Sequence, residues 1–185
     1  TKRLEKDVIE KMKNIINKII MFLKKQPPVR LIALGFALVI LFGTCLLLMP
    51  FSVRDDAEVS FVNALFTSTS AVCVTGLIAI DTADHFTPFG QGVVAALIQV
   101  GGLGVTSIGV GLMIAAGKRV GLKSRNLVRE ALNVDNYRGI VRLVKSVLIL
   151  TLCFEAAGAL LSFIVFSRDY SPLHALGISV FHSIA

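Results

Sequence analysis

The chain has 185 residues, 55% of them hydrophobic, with a mean hydropathy of +0.78 and a formal net charge of +7. The apolar excess exceeds that of an ordinary soluble domain and points to a membrane protein. Nucleic-acid binding would account for basic segments but leaves the long apolar runs unexplained, so it is set aside.

Residues 1–24 carry Leu4, Val8, Ile9, Met12, Ile15, Ile16, Ile19, Ile20 and Leu23 at helical spacing, with lysines between them. This predicts a cytoplasmic amphipathic segment over 1–28, lying on the anionic inner leaflet of the lipid bilayer or docking to a cytoplasmic partner. Gln26, Pro27 and Pro28 end it, and Arg30 anchors the first span at the inner surface. Residues 31–49 are the first of three apolar runs long enough to cross hydrocarbon about 30 Å thick; the others are 92–117 and 146–166. The first run is full length and has no small-residue cleavage site after it, so a cleaved signal peptide is not expected.

Between the first two spans lies Phe-Thr-Ser-Thr-Ser-Ala-Val-Cys-Val-Thr-Gly-Leu-Ile, residues 66–78. Residues 59–70 predict a half-helix of about 12 residues, too short to cross. Residues 72–75 are compatible with an extended strand, and Gly76 supplies dihedrals that side chains resist. Such a re-entrant segment has unpaired carbonyls, tolerated in a membrane only where they line water or an ion path. The negative end of the half-helix dipole favours a cation there. The candidate ion-binding residues are therefore Val72, Cys73, Val74, Thr75 and Gly76. An ordinary outer loop is the alternative, against which stand thirteen nearly uncharged residues.

The second span is rich in glycine (Gly92, Gly101, Gly102, Gly104, Gly109, Gly111, Gly117) and reads as a narrow, smooth helix, which fits an inner helix packed around a pore and fits generic bundle packing too. The loop 118–145 is basic, with a short surface helix expected over 125–132. Glu155 lies inside the third span, where an acid is a functional candidate by default or holds the assembly together. The order span, outer half-helix, span then starts again. Residues 66–70 align with Phe181, His182, Ser183, Ile184 and Ala185 at a period of 115, with only Phe and Ser matching.

Nine of 19 Lys and Arg lie in residues 1–30 and eight in 118–145, whereas 51–89 holds one base beside five acids. The positive-inside rule then puts the N terminus and the basic loop in the cytoplasm of a multi-pass protein. Cys45, Cys73 and Cys153 have no metal-type spacing, and no Ser/His/Asp or His-Glu-x-x-His pattern occurs. No enzymatic activity is expected.

Thr-Ser-Ala-Val-Cys-Val-Thr-Gly-Leu at 69–77, with Gln-Val-Gly-Gly-Leu-Gly at 99–104, resembles the first repeat of the Trk/Ktr/HKT potassium transporter superfamily. Phe-His-Ser-Ile-Ala at 181–185 resembles the start of its second pore helix. Trk-type subunits carry a further helix pair before the first repeat, whereas here the amphipathic segment leads straight in, so the likeness is greater to the KtrB branch than to TrkH. The resemblance implies an all-α membrane fold of repeated outer helix, re-entrant pore helix with filter loop, and inner helix. One repeat spans 29–117 (outer helix 31–50, pore helix 59–70, filter 71–76, inner helix 90–117), and 146–185 begin a second. It further implies four repeats around a potassium filter of backbone carbonyls in the bacterial plasma membrane, in a homodimer gated by a cytoplasmic KtrA-like nucleotide-binding ring. Potassium ion is the implied cargo, sodium dependence is an open second element, and nucleotide enters only through the regulatory partner. A non-conducting membrane assembly subunit is the competing reading, distinguished by having no use for the 66–78 strand.

Overall fold

The computed structural model describes residues 26–117, 120–133 and 139–185. The amphipathic segment expected before residue 26 lies outside them, as do residues 118–119 and 134–138 of the basic loop. Eight helices are described: α1 Pro28–Leu47, α2 Phe61–Cys73, α3 Thr82–His85, α4 Pro88–Leu103, α5 Val105–Ala115, α6 Leu122–Ala131, α7 Ile140–Phe166 and α8 Pro172–Ile184. Among the described residues there is no strand, only one isolated bridge between Val53 and Phe86.

Local chemistry sets the helix starts. Proline is pre-organised for the first turn and has no amide to waste there, and it opens α1, α4 and α8. The Ser60 hydroxyl accepts the Asn63 amide at 3.1 Å to cap α2, and the Asp81 carboxylate accepts the Ala83 amide at 2.8 Å to cap α3. The Thr87 hydroxyl accepts the Gly90 amide at 3.3 Å at the head of α4.

α1, with 20 residues, and α7, with 27, are each long and apolar enough to cross a membrane. Apolar side chains such as Leu38, Phe42, Phe154 and Leu161 stay exposed on them, as a lipid-facing surface requires. The chain is a membrane protein. α4 and α5 make a third span only if taken together, because they meet at a bend of 100°. This corrects the expectation of one smooth helix over 92–117. The break falls at Gly104, whose φ of +79° lies outside the helical region, and its amide closes back on the Gly101 carbonyl at 3.1 Å. Three glycines in four residues make helix continuation costly there, and apolarity alone does not compensate.

Two buried clusters form. One joins α1, α2, α4 and the buried Phe86 through Leu47, Ala64, Ala71, Val72, Val93, Val94 and Leu97. The other joins α5, α6 and α7 through Val110, Val128, Ile140 and Val144. α6 contains most of the surface helix expected over 125–132.

The repeat is visible in hydrogen bonds. The Ser68 hydroxyl on α2 donates to the Ile40 carbonyl of α1 at 2.8 Å, and the Ser183 hydroxyl on α8 donates to the Glu155 carbonyl of α7 at 2.6 Å. Each pair is 28 residues apart, and the second is the first displaced by the period of 115. A glycine faces each hydroxyl at the same displacement: an added Cβ would come within 2.7 Å of the Ser68 oxygen at Gly43 and 2.5 Å of the Ser183 oxygen at Gly158. Each short helix is latched to its long partner across a glycine.

The mouth of the re-entrant segment is also closed. The Arg54 amide donates to the His85 carbonyl and the Thr87 amide to the Ser52 carbonyl, both at 3.0 Å, and the Thr87 hydroxyl donates to the Phe51 carbonyl at 2.7 Å. Residues 55–84 hang from this closure.

Candidate functional site at the end of the re-entrant helix

With 13 residues α2 is about 20 Å long, shorter than the roughly 30 Å needed to cross hydrocarbon. It runs three residues past its expected end, so Val72 and Cys73 are its last turn and not the start of a strand. Val72 has a β-branched side chain, but it is 1% exposed within the outer cluster, and this burial overrides its extended propensity. Its carbonyl faces α4, where a Cβ on Gly101 would collide with it. The hydroxyl run before it is compatible with helix, since Thr69 donates back to the Leu65 carbonyl at 2.7 Å.

The helix stops at a left-handed residue. Val74 has φ 53° and ψ 40°, and its amide donates to the Ala71 carbonyl at 3.2 Å while that of Thr75 donates to the Ser70 carbonyl at 3.0 Å. This is a Schellman closure, a position usually held by glycine. For a β-branched residue the left-handed region costs roughly 1–2 kcal/mol, and such strain collects at functional sites. Irregular backbone comes next, in which Gly76 has φ +68° and a Cβ there would meet no atom within 4 Å. Residues 73–79 are exposed.

The carbonyls of this segment are unequally engaged. Those of Val72, Cys73, Val74, Thr75 and Gly76 accept no hydrogen bond among the described residues. That of Leu77 accepts the Ser70 hydroxyl at 2.7 Å, and the Thr75 hydroxyl lies 3.1 Å from the Ser70 hydroxyl. A cavity of about 310 Å³ opens beside the segment, bounded by Thr67, Ser70, Thr75 and Gly76, by Ile98 of α4 and by Phe181 of α8. No charged side chain lines it. Its polar character comes from hydroxyl and backbone oxygens, the ligand type that suits a hard cation. Among the described residues no group of three His, Cys, Asp or Glu could hold a metal.

Of the five expected site residues, Val74, Thr75 and Gly76 lie in the irregular segment beside the cavity, Cys73 ends the helix above it, and Val72 is buried behind it. Sequence reasoning missed Ser70, which reads as one more hydroxyl in a row of four, and Gly101, which reads as one more small residue of a glycine-rich helix.

The family model for TrkH, described as a cation transport protein, matches residues 31–184. The potassium/sodium uptake protein NtpJ of Enterococcus hirae is 37% identical over 162 residues, 88% of this chain and 36% of that protein. The Ktr system potassium uptake protein B of Bacillus subtilis is 40% identical over 169 residues, 91% of this chain and 37% of that one. Its namesake in Vibrio alginolyticus is 37% identical over 160 residues, covering 84% and 34%. The chain thus spans about a third of the length of these relatives. A half-helix ending among free carbonyls, latched in a repeat of helix pairs, and matched along nearly all its spans to one model: the chain belongs to the TrkH family of cation transport proteins.

Proposed function

We propose that this chain contributes part of a potassium uptake pore of the Ktr type, in which backbone carbonyls replace the water shell of a permeating ion. The observation that carries the reading is the run of five consecutive unbonded carbonyls, from Val72 to Gly76, at the C-terminal end of a half-helix, with residues 73–76 exposed. Within the run Cys73 is the end of the helix dipole, and Val72, held against Gly101, acts as the support. Potassium is the ion named for the Ktr relatives and sodium the second ion named for NtpJ, so both belong to the reading. A bacterial plasma membrane with the N terminus inside, a homodimer and a cytoplasmic nucleotide-binding ring complete it.

Gly76→Ser in the complete protein tests this. A side chain at φ +68° costs about 1 kcal/mol and turns the neighbouring carbonyls, while the open space around Gly76 admits the added atoms without a clash. Potassium preference over sodium should fall roughly fivefold or more, with membrane insertion intact. The measurement is uptake by a potassium-uptake-deficient bacterial strain over a range of potassium concentrations. Unchanged affinity and selectivity would count decisively against this segment being the filter.

A further inference from the structure

We propose that Ser70 is the positioning residue of the ion path, fixing the spacing of the carbonyls around Gly76 by holding the residues on either side of it, Thr75 and Leu77. The proposal rests on the filter reading above and deepens it.

Four hydroxyls stand in a row on α2, and each has a different environment. Ser68 reaches across to α1, Thr69 bonds back along its own helix, and Thr67 is buried without a partner. Ser70 alone faces the irregular segment. Its carbonyl accepts the Thr75 amide at 3.0 Å and its hydroxyl donates to the Leu77 carbonyl at 2.7 Å. A hydroxyl has one proton to give, so the 3.1 Å contact with Thr75 must run the other way, with the Thr75 hydroxyl donating. One residue therefore ties the segment immediately before Gly76 and immediately after it. The left-handed φ of Gly76 lies inside the closed ring that results.

Water can satisfy these groups but cannot hold them in place. Ser70 is 8% exposed but Thr75 and Leu77 are exposed beside the cavity, so removing the Ser70 hydroxyl hands the Leu77 carbonyl and the Thr75 hydroxyl from a fixed partner to mobile water. With Leu77 released, the dihedrals of Gly76 are no longer constrained from below, and a flexible segment discriminates poorly between ions of different radius. The tie does not recur at the one position that can be compared with it. The latching hydroxyl of Ser68 recurs as Ser183, but the position matching Ser70 is Ala185, which has nothing to donate.

The test uses the complete protein in a potassium-uptake-deficient strain, with membrane abundance, the KM for potassium and the potassium-to-sodium preference measured for each variant. Ser70→Ala should lower that preference roughly fivefold to tenfold at normal membrane abundance. Ser70→Thr, which keeps the hydroxyl, should restore it to within about twofold. If Ser70→Ala does not reach the membrane, Ser70→Cys, of similar shape but a weak donor, is read against the same thresholds. Unchanged preference in Ser70→Ala with altered preference in Gly76→Ser overturns the role of Ser70 and leaves the filter reading standing. Unchanged preference in both removes the filter reading and this proposal together. Lower abundance with unchanged preference in either Ser70 variant assigns Ser70 to folding alone and also overturns the proposal.

Discussion

Gly101 and Gly102 are adjacent, chemically identical and opposite in consequence. A Cβ on Gly101 would collide with the Val72 carbonyl, whereas one on Gly102 would meet nothing within 4 Å. Gly101→Ala should therefore push α4 off α2 and destabilise the protein by about 1–3 kcal/mol, the range for overpacking a tight contact. Gly102→Ala should be neutral or stabilising by up to about 1 kcal/mol through helix propensity. Thermal unfolding of the two variants in detergent checks the pair, and equal midpoints would sink the account of the Gly101 contact. The residue scale is also where the sequence was hardest to read. Gly76 was legible, because a single glycine after β-branched residues has few other uses. Val72 was not: its chemistry favours a strand, and only burial against α1 and α4 makes it helical. Nor does any local rule put a valine at the left-handed position 74.

At the scale of elements, the Ser68 and Ser183 latches carry a measurable prediction. An interhelical hydrogen bond of this kind in a membrane protein is worth about 0.6 kcal/mol. Ser68→Ala and Ser183→Ala should each cost that much, and the double variant should cost their sum, since the two bonds share no partner. Gly43→Ala should cost more than either, because its Cβ also meets Leu97 at 2.6 Å. Unfolding free energies of the four variants decide this; a double variant well above the sum would mean that the two latches communicate. The period of 115 was readable in the sequence from only two identities, Phe and Ser, and the serine is the one that makes the bond. The bend at Gly104 was hidden for the opposite reason. Hydropathy runs unbroken from α4 into α5, so a pattern that reports only apolarity sees one span where the backbone makes two helices.

For the whole molecule, the charge pattern gives an orientation that can be measured directly. Seventeen of 19 bases lie in residues 1–30 and 118–145, and the acid-rich 51–89 stretch lies between them. In a background with Cys45, Cys73 and Cys153 replaced, a cysteine at Asp56 should react with an impermeant thiol reagent on intact cells. One at Lys123 should react only after lysis. Labelling of position 123 from outside would invert the topology and move the carbonyl segment away from the outer mouth. The membrane class and the two long spans were legible because crossing hydrocarbon demands length and apolarity, which are properties of sequence. Which surfaces of those spans meet protein and which meet lipid was not legible, because both are apolar.

The closure at the mouth of the re-entrant segment has a mechanical meaning. Ser52, Arg54, His85 and Thr87 suspend residues 55–84 from a single closure, as a pouch hangs from a drawn cord. The cluster around Val110, Val128, Ile140 and Val144 lies beyond the bend at Gly104 and shares no residue with the cluster around Phe86. The basic end and the pouch are joined by two routes, the bent α4–α5 pair and the straight α1, which packs against both α6 and α2.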